Sequence, residues 1–320
     1  MSITVVGSIA YDTVKTPFGE RERMLGGAAV HFALAASFFA DVSVVGPVGD
    51  DFGEEQIAVM ARRGVDVEGI ERVAGGQTFF WQGEYGWDLN TRETIDTQLG
   101  VFEGFQPKLT QAALAADVLF LANIQPDLQR EVRAQLPGAR FVALDSMNLW
   151  IDIARDSLVA AISEVDCVIL NDAELRQLTG KPNLVAAARE ILTWSPQAGS
   201  PGRGPSVVVA KQGEYGAALV TRESFFALPA YPLETVVDPT GAGDTFAGGF
   251  VGYLAAHPDE PLGDELLRRA MAHASVLASF NVEEFGTERV ERLEGREIAA
   301  RIAELHAMTQ FSGDALALRG

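Results

Sequence analysis

The stretch DPTGAGDTFAGGF, residues 238–250, follows a short apolar segment and leads into a helix-like run that starts at Asp244. Gly241 and Gly243 flank the small residue Ala242, so backbone N–H groups there can approach a ligand without side-chain obstruction. The N–H groups at a helix start carry a partial positive charge and bind anions well, most often phosphate. A carboxylate beside such a site repels the ligand and therefore needs another role. We expect Asp244 to take the proton from a hydroxyl that attacks phosphorus.

A purely structural explanation exists for the same stretch. It describes a helix N-cap followed by close helix packing at Gly248 and Gly249. Glycine-rich turns are common, so the glycine spacing alone does not separate a phosphate-binding turn from a packing feature. The other motifs of the chain, and their order, are needed to decide between the two.

Length and composition are typical of a cytoplasmic enzyme. The 320 residues suggest one large domain or about two of average size, and 48% of them are hydrophobic, which is ample for a core. No apolar run reaches the roughly 18 residues of a membrane span. Residues 1–7 lack the basic start and cleavage site of a secretory signal and read as a buried strand. Cys167 is the only cysteine, which excludes an internal disulfide and a thiolate metal site.

The charge of the chain limits its partners. The formal net charge is -19 at pH 7, whereas binding to nucleic acid requires basic patches on the protein. The same charge disfavours anionic membrane surfaces. We therefore expect no nucleic-acid partner and no membrane partner, and an acidic surface that serves solubility explains the charge equally simply.

Short apolar runs alternate with amphipathic runs along most of the chain. The predicted strands are residues 3–7, 42–46, 118–122, 141–145, 167–170, 207–210 and 217–220. The predicted helices lie near residues 27–40, 51–63, 126–136, 152–163, 173–179, 184–194, 244–257, 262–280 and 296–308. Continuous apolar strands separated by helices indicate an α/β fold with a mostly parallel sheet that is covered on both faces. Ligands of such sheets bind at the carboxyl ends of the strands.

Two segments interrupt this alternation, residues 12–25 and residues 76–105. Both read as antiparallel strands, and neither can make a core alone. Paired with each other, they would form a small sheet that covers a site as a lid. A surface hairpin or a dimer contact is the alternative. Aromatic side chains that we expect to be exposed would suit both a lid and a dimer: Phe79, Phe80, Trp81, Tyr85 and Trp87.

The stretch DPTGAGDTFAGGF resembles the C-terminal motif of the ribokinase-like (PfkB) carbohydrate and nucleoside kinases. The resemblance covers essentially the whole chain, because the other motifs follow in the family's order: Asp12, Gly26-Gly27, the lid segment, Asn171 with Glu174, residues 211–216 and residues 241–244. It implies a doubly wound α/β domain of residues 1–11, 26–75 and 106–320, and a small β lid of residues 12–25 and 76–105. It also implies transfer of the γ-phosphoryl group of ATP, with Mg²⁺, to an alcohol.

Asp12 follows the first strand, where a doubly wound sheet presents its carboxyl end. A carboxylate binds vicinal hydroxyls with two acceptor oxygens, although a turn aspartate is the structural alternative. The resemblance places Asp12 and the Gly26-Gly27 backbone on the substrate hydroxyls. His31 stands where the family often has asparagine, and we expect it to contact the substrate too. Asp145 and Asn148 follow another strand and are further candidates for substrate or phosphate contacts.

Asn171 and Glu174 lie three residues apart, on one face of a starting helix. An amide and a carboxylate there can order magnesium and its waters, but the same pair can form a capping box. The resemblance favours the magnesium role, because the family carries an Asn-x-x-Glu motif. Lys211 and Gly213 belong to a hairpin tip that resembles the family's nucleotide-side loop, with a solvated turn lysine as the alternative. The resemblance also places Thr240 and the turn glycines on the nucleotide.

The resemblance leaves the acceptor open among sugars, polyols and nucleosides. As in several relatives, Asp238 is expected to help bind a potassium-like cation near the turn, and a homodimer through the lid is expected. A non-catalytic sugar or nucleotide sensor on the same fold is the alternative function, although a binder needs no base such as Asp244. A dinucleotide-dependent enzyme is disfavoured, because no G-x-G-x-x-G follows the first strand. The chain also has no G-x-x-x-x-G-K-[ST] loop.

Overall fold

The computed structural model describes residues 1–311. The strands of this part are β1 (Ile3–Val6), β2 (Ala10–Thr16), β3 (Gly19–Gly26), β4 (Val42–Val48), β5 (Asp66–Arg72), β6 (Phe79–Tyr85), β7 (Arg92–Gln98), β8 (Val118–Leu121), β9 (Phe141–Leu144), β10 (Cys167–Asn171), β11 (Val207–Lys211), β12 (Ala217–Val220) and β13 (Phe225–Leu228). Its α-helices are α1 (Ala28–Ala36), α2 (Glu54–Arg62), α3 (Gln111–Leu114), α4 (Pro126–Gln135), α5 (Asn148–Ile153), α6 (Arg155–Ser163), α7 (Asp172–Thr179), α8 (Leu184–Ile191), α9 (Ala242–Ala256), α10 (Asp264–Asn281), α11 (Glu288–Glu291) and α12 (Gly295–Thr309).

The larger sheet has nine strands, in the order β13-β12-β11-β10-β9-β8-β1-β4-β5. All neighbours from β5 to β11 are parallel, while β12 and β13 add an antiparallel edge. Its central strands are short apolar runs, such as ITVV in β1 and VLFL in β8, and they are fully buried. Strands that are covered on both faces need no polar alternation, which is why continuous apolar runs predicted them. The predicted α/β fold with a mostly parallel sheet is confirmed.

Helices cover both faces of the larger sheet. One hydrophobic core takes the buried faces of α1, α9 and α10, and the other takes those of α4, α6, α7 and α8. Within the first core, α1 and α9 approach so closely that a Cβ at Gly248 would lie 2.3 Å from the carbonyl oxygen of Phe32. A Cβ at Gly249 would lie 2.9 Å from the Cα of Ala274 in α10. The packing role that the sequence suggested for these two glycines is therefore present. It fixes the position of α9 against α1 and α10.

A second, four-stranded sheet has the order β3-β2-β6-β7. The two hairpins are antiparallel as predicted, but the pair that joins them, β2 and β6, is parallel, with Ala10 opposite Phe79. The prediction of antiparallel pairing throughout is therefore wrong at this seam. The reason is topological: β2 follows β1 and β6 follows β5, and β1 and β5 run in the same direction in the larger sheet.

The aromatic side chains of the small sheet are less exposed than the sequence suggested. Tyr85 is buried, and Phe79, Phe80 and Trp81 are half-buried. Trp87, at the tip of the hairpin between β6 and β7, is 90% exposed. Tyr85 packs with Val14 and Phe285, a contact between the small sheet and the segment after α10 that no local pattern could indicate.

Two further differences concern local signals. The edge strand β5, with the sequence DVEGIER, was not predicted, because an exposed edge carries charged residues instead of an apolar run. The helix predicted near residues 152–163 is two helices, α5 and α6, separated by Ala154, whose φ of -141° is not helical. Within residues 1–311, no helix combines the length and the apolar character that crossing a membrane requires.

Candidate active site

The glycine turn at residues 239–242 leads directly into α9. Gly241 precedes the helix with a φ of 74°, a left-handed conformation that glycine adopts without strain. The Ala242 N–H donates to the Pro239 carbonyl at 3.2 Å and closes the turn. The Ala242 N–H therefore already has an acceptor within the turn. Gly241 and Gly243 stand at the start of a buried 15-residue helix, where backbone N–H groups carry a partial positive charge.

Buried hydrogen bonds hold this turn in place. Asp238 is fully buried, and its two oxygens accept from the Thr240 N–H at 2.8 Å and the Gly286 N–H at 3.0 Å. The Asn281 side chain donates to the Thr240 carbonyl at 2.8 Å and accepts from the Thr245 hydroxyl at 3.0 Å. A turn that is braced in this way needs little reorganisation when a charged ligand arrives.

His31 lies against the turn. Its Nδ1 is 3.1 Å from the Asn281 carboxamide oxygen, so the tautomer that donates from Nδ1 fits this contact. A Cβ at Gly241 would lie 2.3 Å from the Cε1 of His31, so the ring occupies the space that a side chain at 241 would need. Burial lowers the pKa of His31, against the opposing charge of Asp238, and keeps the ring neutral. Nε2 is buried and has no hydrogen-bond partner within the described part of the chain.

The Asp12 carboxylate lies directly over the first glycine of the Gly26-Gly27 pair. A Cβ at Gly26 would be only 2.0 Å from Asp12 Oδ2. Burial, and next the charges of Asp238 and Asp244, raise the pKa of Asp12 to about 7, although a hydrogen bond from the Gly27 backbone acts to lower it. The predicted residues Asp12, Gly26 and Gly27 are therefore brought together, within electrostatic reach of Asp244.

Lys211 forms a buried ion pair on the other side of the turn. Its Nζ lies 3.1 Å from Asp145 Oδ2, and only 17% of its side chain is exposed. A Cβ at Gly243 would lie 2.9 Å from this Nζ, so the ammonium group also lies against the first turn of α9. Burial acts to lower the pKa of Lys211, but the charges of Asp145, Glu174 and Asp244 raise it overall. The alternative of a solvated turn lysine is therefore excluded.

Three carboxyl groups surround Lys211, and all of them have raised pKa values. Burial raises the pKa of Asp145 to about 6 although Lys211 lowers it. Burial raises the pKa of Glu174 to about 7, with Lys211 again opposing and Asp145 adding to the rise. Burial also raises the pKa of Asp244, against Lys211 and together with Glu174. A carboxylate with a raised pKa accepts a proton more readily, which suits Asp244 to a role as general base.

Asn171 and Glu174 form the capping box of α7. The Glu174 N–H donates to Asn171 Oδ1 and the Asn171 N–H donates to Glu174 Oε2, both at 2.8 Å. The structural alternative is thus present, and it holds the Glu174 carboxylate close enough to Lys211 and Asp145 for their charges to act on it. No group of three or more His, Cys, Asp or Glu side chains in residues 1–311 is arranged to hold a metal directly. A magnesium ion at this site would take most of its ligands from phosphates and water.

Comparison with known proteins agrees with this geometry. The sequence matches the pfkB family carbohydrate kinase over residues 2–292. The chain belongs to the PfkB family. It is 32% identical over 267 residues to a cytidine kinase of Thermococcus kodakarensis, which covers 81% of this chain and 91% of that relative.

Solved structures confirm the fold of this PfkB kinase. A ribokinase from Giardia lamblia superposes with a TM-score of 0.78 at 18% identity, covering 95% of this chain and 99% of that one. A nucleoside kinase from Burkholderia thailandensis in complex with inosine superposes with a TM-score of 0.77 at 20% identity, covering 95% and 98% of the two chains. The protein is therefore a phosphotransferase with the ribokinase-like fold.

Three predicted residues of the kinase remain, Asn148, Gly213 and Thr240. Asn148 is exposed at the start of α5, and its side chain makes no hydrogen bond within residues 1–311. Gly213 is exposed in a short 3₁₀ turn, Gly213–Tyr215, after β11. The Thr240 hydroxyl donates to the Tyr85 hydroxyl at 3.3 Å and so connects the turn to the small sheet.

Two residues of the kinase site make contacts that the sequence analysis did not predict. Asn281 connects His31 to the turn. Tyr85, expected only as an exposed aromatic residue of the lid, contacts Thr240 from the small sheet. Asn281 lies at the end of α10, 250 positions from His31, so no spacing rule connects them. Only the order of the sheet brings these segments together.

Proposed function

We propose that this kinase transfers the γ-phosphoryl group of ATP to a hydroxyl of a sugar or related polyol, with Asp244 as general base. One observation carries the proposal. Asp244 stands in the first turn of α9, beside the Gly241 and Gly243 amides and within electrostatic reach of both Asp12 and Lys211. A base between a hydroxyl-binding carboxylate and a phosphate-binding cation is the arrangement that in-line phosphoryl transfer requires.

The proposed step moves one proton and exchanges one phosphorus–oxygen bond. Asp244 accepts the hydroxyl proton while the acceptor oxygen bonds to the γ-phosphorus. The bond from that phosphorus to the β,γ-bridging oxygen breaks, and ADP leaves with the electron pair. The amides of Gly241 and Gly243 would stabilise the charge on the transferring oxygens, and Lys211 would pair with the phosphates as a point charge. The exposed Gly213 loop after Lys211 and the Thr240 hydroxyl would line the rest of the nucleotide site.

Magnesium, when bound, would neutralise phosphate charge. Glu174 would hold it through water, because one of its oxygens already accepts the Asn171 N–H while the other has no hydrogen bond within residues 1–311. The same reasoning gives no support to the predicted potassium-like cation. The two oxygens of Asp238 already accept backbone N–H groups, so no step is assigned to such an ion.

The acceptor would be held by its hydroxyl groups. Asp12 and the Gly26-Gly27 backbone would bind vicinal hydroxyls, and the free Nε2 of His31 would accept a hydrogen bond from a further one. Because the Asn148 side chain is exposed, we propose for it only a contact with the acceptor at the rim of the site. A nucleoside is the second candidate acceptor, and the 32% sequence identity to a cytidine kinase supports it. Its ribose would use the same hydroxyl-binding groups.

Two further predictions from the sequence, a homodimer and a cytoplasmic location, remain proposals. A homodimer through the small sheet is compatible with its exposed side chains Phe18, Trp87 and Ile95. A cytoplasmic location is compatible with the single buried cysteine. Gel filtration coupled to light scattering, with Trp87→Ser as the variant, tests the dimer: a dimer in both proteins removes Trp87 from the interface, and a monomer in both ends the proposal.

The function is tested by ADP release from MgATP across a panel of sugars, polyols and nucleosides. We expect one acceptor class to be turned over, and Asp244→Asn to reduce kcat by about 10²- to 10⁴-fold, the usual contribution of a general base. ATP affinity should remain close to that of the unchanged protein. Asp259→Asn, at an exposed position after α9, removes the same charge and serves as control.

Either of two results contradicts the proposal. Full activity of Asp244→Asn removes Asp244 as the base. Tight binding of an acceptor and of ATP without any ADP release points instead to the sensor function.

A further inference from the structure

The site that we propose for phosphates is short of positive charge. Around the turn lie the carboxyl groups of Asp12, Asp145, Glu174, Asp238 and Asp244. Lys211 is the cation that the large domain brings into contact with the turn, and it is already paired with Asp145. His31 stays neutral because burial lowers its pKa. A nucleoside triphosphate adds several more negative charges, so a second protein cation near the turn would favour its binding.

Three contacts locate the end of the β6–β7 hairpin over this site. The Tyr85 hydroxyl, at the end of β6, accepts from Thr240 of the turn at 3.3 Å. Asn90, in the hairpin loop, donates to Glu214 of the loop after β11 at 3.0 Å. Arg92 begins β7 directly opposite Tyr85 in the antiparallel register. Arg92 therefore begins its strand beside the residue that contacts Thr240, two positions after the residue that contacts Glu214.

The surroundings of Arg92 leave its charge available. The residue is exposed, and its guanidinium carbon lies 5.5 Å from the centroid of the Trp81 ring. No carboxylate lies within 4.0 Å of it in the described part of the chain. The stack on Trp81 holds the guanidinium at modest cost, since a cation over an indole face is attracted but not neutralised.

The electrostatics support the same position. Burial raises the pKa of Glu174, and the charge of Arg92 is among those that oppose this rise. Burial also raises the pKa of the Tyr85 hydroxyl, and Arg92 again acts in the opposite direction. The positive charge of Arg92 therefore acts on Glu174, on the proposed nucleotide side, and on Tyr85, which contacts Thr240 of the turn.

We infer that Arg92 is a catalytic residue supplied by the small sheet, whose guanidinium binds the γ-phosphoryl oxygens opposite Lys211 during transfer. The inference rests on the proposed kinase reaction and adds a residue to it. Arg92 moves no proton, because its guanidinium stays protonated. It stabilises charge on the phosphoryl oxygens while the bond to the acceptor forms and the bond to ADP breaks. The large domain alone would then hold an incomplete site.

The variants Arg92→Gln and Arg92→Lys test the inference in steady-state kinetics. At saturating ATP and acceptor we expect Arg92→Gln to lower kcat by about 10²- to 10³-fold, the range found when one donor to a developing oxyanion is lost. Arg92→Lys should recover part of this loss, and the KM of the acceptor should change little. Lys15→Gln removes the same charge from the same sheet, at a side chain that pairs with Glu84 on the surface, and should keep its kcat.

A binding measurement separates this inference from the reaction itself. Calorimetric titration with the β,γ-imido analogue of ATP, with magnesium present, should show roughly tenfold weaker binding to Arg92→Gln, about 1.4 kcal/mol, whereas binding of ADP should be unchanged. A variant with unchanged kcat overturns the role of Arg92. If the unchanged protein releases no ADP with any acceptor, the proposed function fails, and the titration decides alone: equal affinity of the two proteins for the analogue then overturns the role.

Discussion

The two sides of the turn before α9 are both rich in carboxyl groups, yet they differ in charge balance. On one side Asp12 lies over Gly26 and forms no ion pair within residues 1–311, and its pKa rises to about 7. On the other side Asp145 is as deeply buried but has Lys211 at 3.1 Å, and its pKa rises only to about 6. Burial is the largest cause of both rises. The charges of Asp238 and Asp244 add to the rise of Asp12, whereas Lys211 opposes the rise of Asp145.

This difference indicates which ligand each side can accept. A carboxylate without a cation offers oxygens to neutral hydroxyl groups and repels phosphate, so the side of Asp12 suits the acceptor. The side of Lys211 carries a cation in contact with Gly243 and suits the nucleotide. Asp244 adjoins both sides, and its pKa is raised because burial and Glu174 outweigh Lys211. Its position at the boundary matches the proposed transfer of a proton from one ligand as a bond forms to the other.

Replacing Lys211 should remove the charge difference between the two sides of the turn, and it gives the largest expected effect. Lys211→Met removes the cation that pairs with Asp145 and acts on Glu174, and breaking a buried ion pair in this way typically destabilises by about 3 to 5 kcal/mol. We expect kcat/KM for ATP to fall by about 10²- to 10³-fold. Thermal unfolding at pH 8 and pH 5 measures the stability, and the loss should be smaller at pH 5, where the carboxyl groups bind protons. Lys181→Met, at an exposed ion pair with Glu190, is the control.

An equal loss of stability at both pH values would contradict this account. It would mean that the aliphatic part of Lys211, and not its charge, supports the site.

Neutralising Asp12 should test the side without a cation. Its pKa in the folded protein is raised above 3.8, so the folded state binds the proton more tightly than the unfolded state. The stability that this proton confers is present below about pH 4 and is lost as the pH rises through about 7. Asp12→Asn cannot lose it and should be more stable than the unchanged protein at pH 8, by about 2 to 4 kcal/mol, with no gain at pH 4.

Denaturant unfolding at several pH values measures this gain. The same variant should raise the KM of the acceptor far more than the KM of ATP. Asp41→Asn, on the exposed surface, controls for net charge. A gain that is constant with pH, or equal effects on the two KM values, would show that Asp12 does not carry the charge asymmetry of the site.

A methyl group at Gly26 gives the smallest expected effect and sharpens the comparison without changing charge. The added Cβ would meet Asp12 Oδ2 at 2.0 Å, and the carboxylate can swing away at little cost in stability because it ends a side chain. Gly26→Ala should therefore raise the KM of the acceptor by roughly tenfold, about 1.4 kcal/mol, and leave the KM of ATP nearly unchanged. Gly104→Ala, where a Cβ meets nothing within 4 Å, is the control.

Steady-state kinetics with each substrate varied in turn measures the effect. A rise in the KM of ATP of the same size would place Gly26 on the nucleotide side and would remove the distinction between the two regions.

Much of the fold could be predicted because its signals are local. Apolar runs without polar alternation marked the strands β1, β8 and β10, since a strand that is covered on both faces carries mostly apolar side chains. The edge strand β5 lacked that signal because one border of it meets solvent. The parallel seam between β2 and β6 was missed because pairing direction depends on which way the chain leaves the larger sheet.

For the candidate site, residue types at short spacing were enough to select individual candidate residues. They were not enough to predict contacts between residues that are far apart in the chain. Gly241, Gly243 and Asp244 could be identified because a phosphate-binding turn needs small residues at adjacent positions. That Lys211 pairs with Asp145, and that His31 reaches the turn through Asn281, could not, because 66 and 250 positions separate the partners.

The sequence by itself determined the glycine turn before α9, the parallel sheet and the presence of a second small sheet, because each follows from a run of neighbouring residues. Only the tertiary structure decided which carboxyl group has a cation, which histidine nitrogen is left without a partner, and where Arg92 lies. Those properties depend on burial and on distances of a few ångströms between segments far apart in the chain, and such distances exist only once the two sheets have packed.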